Sequence, residues 1–193
     1  MFIDFLPLML INMAGGLCVL AHFVLKGLAG DDHRPWAPAF AMTGLVAFIC
    51  GLHMIFTWPL PGSYNVAFGE CSVLFGTVFL GGALAMGKGW KLDAVALYAL
   101  VAGAAAILVG ARIAHLGLTQ MPLATGIGFM LTGAGGLFAY PALRLRGSLL
   151  VRVLGAICMK LAALLWFAIG AFGYWMHLAS LSKWTPLIFQ KAL

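Results

Sequence analysis

Six apolar stretches, each long enough to cross a bilayer, constrain this chain more than any other feature. A helix needs about 20 apolar residues to span the hydrocarbon core. The stretches fall at about residues 3–25, 37–58, 66–86, 93–114, 123–142 and 149–178. The connections are short and carry breakers: Gly30-Asp31-Asp32-His33-Arg34-Pro35, Trp58-Pro59-Leu60-Pro61-Gly62-Ser63 and Gly87-Lys88-Gly89. None is long enough for a second domain, and no internal repeat stands out. The reading is one polytopic membrane domain over residues 1–193: an all-α integral membrane protein built as a six-transmembrane-helix bundle.

Composition excludes the alternatives. Of the 193 residues, 64% are hydrophobic and 8% are charged, against about 25% charged in a soluble domain. So few charges cannot cover a soluble surface, which rules out soluble enzymes and nucleic-acid-binding domains. The net charge of +6 therefore marks membrane-flanking loops and not a nucleic-acid partner. Cys18, Cys50, Cys71 and Cys158 each lie in a different apolar stretch and read as small buried residues. No signal peptide is expected, because the first stretch starts with Asp4 and lacks a basic leader. The tail from Ala179, with Trp184 and Pro186, is too short to cross again and is expected at the interface.

Basic residues orient the bundle. Lys26, Arg34, Lys88, Lys91, Arg144, Arg146 and Arg152 fall at one end, and Arg112, Lys183 and Lys191 at the other. The positive-inside rule puts the richer end in the cytoplasm. Both termini then face outside, in what reads as a prokaryotic cytoplasmic membrane. Trp36, Trp58, Trp90, Trp175 and Trp184 fall near helix ends, as an interfacial belt requires. Trp166 stands apart, well inside the sixth stretch.

Ionisable side chains inside a span are costly, so they are candidates for function. His53 and Glu70 both fall roughly 6–8 Å below the outer boundary at about 1.5 Å per residue. The uncharged segment from Thr57 to Asn65 joins their helices and would form a lip over an outer vestibule. A His53–Glu70 contact there would respond to pH, or would simply lock two helices together. Lys160 falls near the middle of the sixth stretch, where it would pair with Glu70 or snorkel toward Arg152. His22 lies one turn from Lys26 and reads as structural. A single haem b would need two histidines at equal depth. His53 with His115 or His177 is the only outer-side combination offered, and no motif supports it.

Small residues are dense: Gly76, Gly81 and Gly82 in the third stretch, Gly126 to Gly136 in the fifth, and Ala102 to Ala106 in the fourth. They permit close helix packing and oligomer contacts. They also leave room for a narrow pore.

The run Phe68-Gly69-Glu70-Cys71-Ser72-Val73-Leu74-Phe75-Gly76-Thr77, the turn with Trp90, and the last helix with Trp166, Phe167, Tyr174, Trp175 and His177 resemble the AmiS/UreI family of urea and short-chain amide channels. That resemblance implies hexameric rings with one apolar pore per protomer. The fifth stretch departs from it by lacking tryptophan, and Lys160 stands near the position of an acidic residue. In wording, His53-Met54-x-x-Thr57-Trp58-Pro59-Leu60 with Phe68-Gly69-Glu70 after it is more similar to an uncharacterised bacterial and archaeal membrane family, domain of unknown function 981.

The resulting expectation is a homo-oligomeric channel or facilitator in the lipid bilayer for a small, mostly uncharged solute, urea-like or amide-like. It would carry out no chemistry, need no cofactor and have no nucleic-acid partner. Phe75, Thr77, Phe79 and Trp166 would line the constriction, and His53 and Glu70 would shape or gate the outer mouth. The alternatives are a redox protein holding one haem b or a metal through His53, His115 or His177, and an accessory subunit of a larger membrane complex.

Overall fold

The computed structural model describes residues 5–184. Its elements are helical throughout, and six helices are long and apolar enough to cross a membrane. We label them α1 (Leu6–His22), α2 (Ala37–Thr57), α3 (Cys71–Lys88), α4 (Asp93–Leu116), α5 (Pro122–Arg144) and α6 (Leu149–Ser180). Two π-helical turns extend them: Phe23–Gly27 continues α1, and Asn65–Glu70 leads into α3. The residues before Phe5 and the tail after Trp184, including Pro186 and Lys191, lie outside the described residues.

Local sequence explains where the helices start and stop. Pro7, Pro38 and Pro122 sit in first turns, where a missing N–H is harmless. Gly89 and Gly117 end α3 and α4 in the left-handed conformation, at φ 68° and 65°, which glycine adopts without strain. Trp58 ends α2 the same way at φ 47°. Ser148 caps α6 by accepting from the Val151 amide.

The helices form a ring in chain order, each packed on its sequence neighbours, and α6 closes back on α1. Two of the seams are glycine zippers. Gly44 and Gly51 of α2 face Gly76 and Gly69; Gly103 and Gly110 of α4 face Gly133 and Gly126 of α5. On every one of these helices the two glycines are seven residues apart, so one register serves both hairpins. A Cβ added at Gly110 would lie 2.6 Å from the Gly126 carbonyl oxygen, and one at Gly51 would lie 2.8 Å from that of Gly69. Without a hydrophobic force between helices in lipid, such backbone-to-backbone contact is a main source of association.

Polar bonds pin these two seams and others. The Asn12 amide donates to the Thr43 carbonyl at 3.0 Å, joining α1 to α2. The Ser72 hydroxyl donates to the Ala47 carbonyl at 2.8 Å, joining α3 to α2. Arg152 of α6 donates to the Leu25 carbonyl at 2.8 Å, a cation at the C-terminal end of α1, where the helix dipole favours it. Arg144 lies 3.5 Å from Asp93, joining the basic ends of α4 and α5.

Candidate functional site

Three cavities lie among the helices. At the end opposite the basic loops is a vestibule of about 480 Å³, between α1, α6, the π-turn before α3 and the α4–α5 loop. Its polar lining comes from Tyr64, Thr119, Gln120, Thr125, His177 and Ser180. The Thr119 hydroxyl donates to that of Thr125 at 3.1 Å.

Deeper in the ring are two cavities of about 120 Å³ each, and their walls share Leu20, Phe40, Val78, Ala99, Gly135 and Ala139. The upper is bordered by Leu17, Phe75, Phe129 and Trp166. The lower reaches Leu28, Met86, Leu92 and Leu143 at the basic end, and no polar side chain lines it.

A wall of three aromatic rings separates vestibule from cavities. Phe68 faces the vestibule, while Phe129 and Trp166 face the upper cavity. Their centroids are close: 5.3 Å for Phe68–Phe129, 5.2 Å for Phe129–Trp166 and 6.5 Å for Phe68–Trp166, all edge-to-face. This is the favourable arrangement of ring quadrupoles. The Trp166 indole N–H donates to the Thr132 hydroxyl at 2.9 Å, and that hydroxyl donates to the Gly128 carbonyl at 2.8 Å. Trp166 is 1% exposed. Below it an aromatic ladder continues, with Phe75–Phe79 at 4.4 Å and Phe79–Phe40 at 4.9 Å.

The segment from Trp58 to Tyr64 beside the vestibule is held by one side chain. Asn65, fully buried, accepts from the Leu60 amide at 3.1 Å and donates to the Leu60 carbonyl. Both polar groups of Leu60 are thus paired although the residue is buried, as an apolar setting requires.

The side chains singled out in the sequence fall in different places. Phe75, Phe79 and Trp166 line the upper cavity. Thr77 does not; its hydroxyl donates to the Val73 carbonyl of its own helix at 2.8 Å. His53 and Glu70 are both exposed, line neither the vestibule nor the two cavities, and form no ion pair with each other. His53 instead packs its ring 5.3 Å from that of Phe5. Glu70 ends a π-turn, which adds a residue to the register and rotates the succeeding side chains by about 100° from α-helical expectation.

Lys160 is exposed and lies toward the basic end. Gly155 of α6 sits against Val24, and Gly170 against Leu10 and Ile11, so Lys160 is level with the last third of α1. Glu70, next to the Gly51–Gly69 contact, is roughly 17 Å further along the axis at 1.5 Å per residue, so the two do not pair. The three candidate haem ligands have three different surroundings: His53 packs on Phe5, His115 is exposed on α4, and His177 lines the vestibule. No group of three or more metal-ligating side chains occurs among the described residues.

Sequence reasoning missed Phe68, Phe129 and Thr132 as the residues grouped around Trp166, and Asn65 as the clamp. Asn65 alone carried a signal, as a lone amide at the start of an apolar run. A comparison with protein families matches residues 1–180 to a family model described as "Protein of unknown function (DUF981)". No curated protein and no solved structure matches the chain.

Proposed function

The chain belongs to the DUF981 family, whose description assigns no activity, and from that premise we propose that it is a membrane channel or facilitator for a small, mostly uncharged solute. The carrying observation is the column within a single chain: a polar vestibule, one aromatic wall and two apolar cavities along the axis of the ring. Solute would gather in the vestibule, pass Phe68, Phe129 and Trp166 when their rings shift, and cross the cavities toward the basic end. Pore width and apolar lining would set selectivity, with no covalent step and no cofactor. The resemblance to urea and amide channels points to solutes of that size.

The basic end would face the cytoplasm by the positive-inside rule, with both chain ends outside. The chain would act as a homo-oligomer. Glu70 and His53 are exposed within the apolar stretches, and an ionisable side chain against lipid is costly. Contact with a second copy would relieve that cost. His53 and Glu70 would then act at the contact between copies, not at the mouth of the pore.

The test is flux of urea, short amides and small alcohols into proteoliposomes. Facilitated flux that changes in Trp166→Ala and Phe75→Ala supports the assignment. A demonstrated flux that neither substitution alters places the path elsewhere.

A further inference from the structure

We infer that the conduit is selective for weakly hydrated neutral solutes, those carrying one or two hydrogen-bonding groups, and that it excludes water wires, protons and heavily hydrogen-bonded solutes such as urea. This rests on the channel reading and narrows it.

The observation is where hydrogen-bonding capacity stops. The vestibule offers hydroxyl, amide and imidazole groups. Beyond the aromatic wall, the polar side chains on the upper cavity are Thr132, Trp166 and Cys71. The first two satisfy each other. The Trp166 N–H is taken by Thr132, and the Thr132 hydroxyl proton is taken by the Gly128 carbonyl. One lone pair on Thr132 and the weak thiol of Cys71 remain. The lower cavity has no polar side chain, and its helix backbone is paired within the helices.

A solute crossing both cavities must therefore shed its water and receive almost nothing in exchange, at a cost that rises with each hydrogen-bonding group. Urea, with four N–H donors and a carbonyl, meets that cost in full. A molecule of similar size with one or two hydroxyls meets much less of it. Water is excluded for the same reason: apolar cavities of this kind stay dry, and hydrophobic constrictions block conduction by dewetting. Without a water chain there is no route for protons.

The test uses the full chain in proteoliposomes, with protein-free vesicles of the same lipid as baseline. Permeability to 1,2-propanediol, glycerol and urea is read by light scattering, and proton leak by an internal pH dye. The expected result is facilitated 1,2-propanediol entry, glycerol and urea facilitated at least about tenfold less, as one or two further unpaired groups imply, and proton leak at baseline. A second variant, Val78→Thr, adds a hydroxyl to the shared cavity wall with little change in volume; it should raise glycerol entry relative to 1,2-propanediol. Urea or glycerol entering as fast as 1,2-propanediol, or a proton leak above baseline, overturns the selectivity while leaving a channel. No facilitated entry of any solute, in either protein, overturns the channel reading and the selectivity with it.

Discussion

The seams inside the α2–α3 and α4–α5 hairpins and the axis those hairpins surround are built on opposite principles. At the seams, glycine faces glycine in a seven-residue register, and backbones touch with no room for a methyl group. Along the axis, large aromatic and aliphatic side chains border two cavities and a vestibule. Rigidity in the wall permits vacancy in the centre. Close backbone contact needs little from the side chains pointing inward, so those side chains are free to border cavities.

Substitutions in the wall should therefore be the most damaging. In Gly103→Leu the new side chain meets the carbonyl of Gly133 and the backbone of Gly136. Backbone cannot yield as side chains do, so the expected outcome is loss of a monodisperse detergent-purified species. Gly103→Ala should cost about 1–3 kcal/mol or more, read as a lower thermal unfolding midpoint. A folded, stable Gly103→Leu would remove the contrast between wall and axis.

Along the axis the opposite change, removal of bulk, should leave the fold intact and be read out differently. Trp166→Ala should cost about 3–5 kcal/mol through lost packing and at the same time open the aromatic wall. Trp166→Phe keeps most of the volume and releases the Thr132 hydroxyl, for about 1 kcal/mol. Solute permeability that rises in the first variant and changes little in the second would make the contrast quantitative.

The clamp lies between the two regimes. Asn65→Leu strands the amide and carbonyl of buried Leu60, which should cost about 1–3 kcal/mol and loosen the lip beside the vestibule. Protease accessibility of the segment 58–64 checks it. The smallest effect belongs to the exposed α1–α2 loop. There the Arg34 guanidinium, hydrogen-bonded to Asp32 at 2.9 Å, holds that carboxyl below its usual range. The contribution is present above the usual carboxylate range and lost as pH falls through the lowered value. Exposed pairs contribute little, so Asp32→Asn should leave the unfolding midpoint unchanged within error at neutral pH.

The six spans are legible in the sequence because hydropathy and breakers act locally: Gly89, Gly117, Pro38 and Pro122 stand at helix ends for reasons visible in the chain alone. The abundance of glycine is equally plain. Which glycine meets which is a pairing between helices, and hydropathy carries no information about it. Helix faces are less legible still. His53 and Glu70 are ionisable residue types in apolar stretches, yet neither lines the vestibule or the cavities. The π-turn at Asn65–Glu70 shifts the register by a residue, and that turn has no sequence signature comparable to a proline. Phe68 and Phe129 join the aromatic wall with as little warning: among many apolar residues, only the three-dimensional pairing with Trp166 sets them apart.

The most direct test of the proposed conduit through the ring is solute permeability in proteoliposomes carrying Phe129→Ala, set against Leu97→Ala on the outer face of α4. Phe129 is 3% exposed and Leu97 is 56% exposed. A conduit through the ring predicts faster entry and a larger size cutoff for Phe129→Ala, and wild-type behaviour for Leu97→Ala. A folded Phe129→Ala protein with wild-type rate and cutoff would contradict a path through the ring.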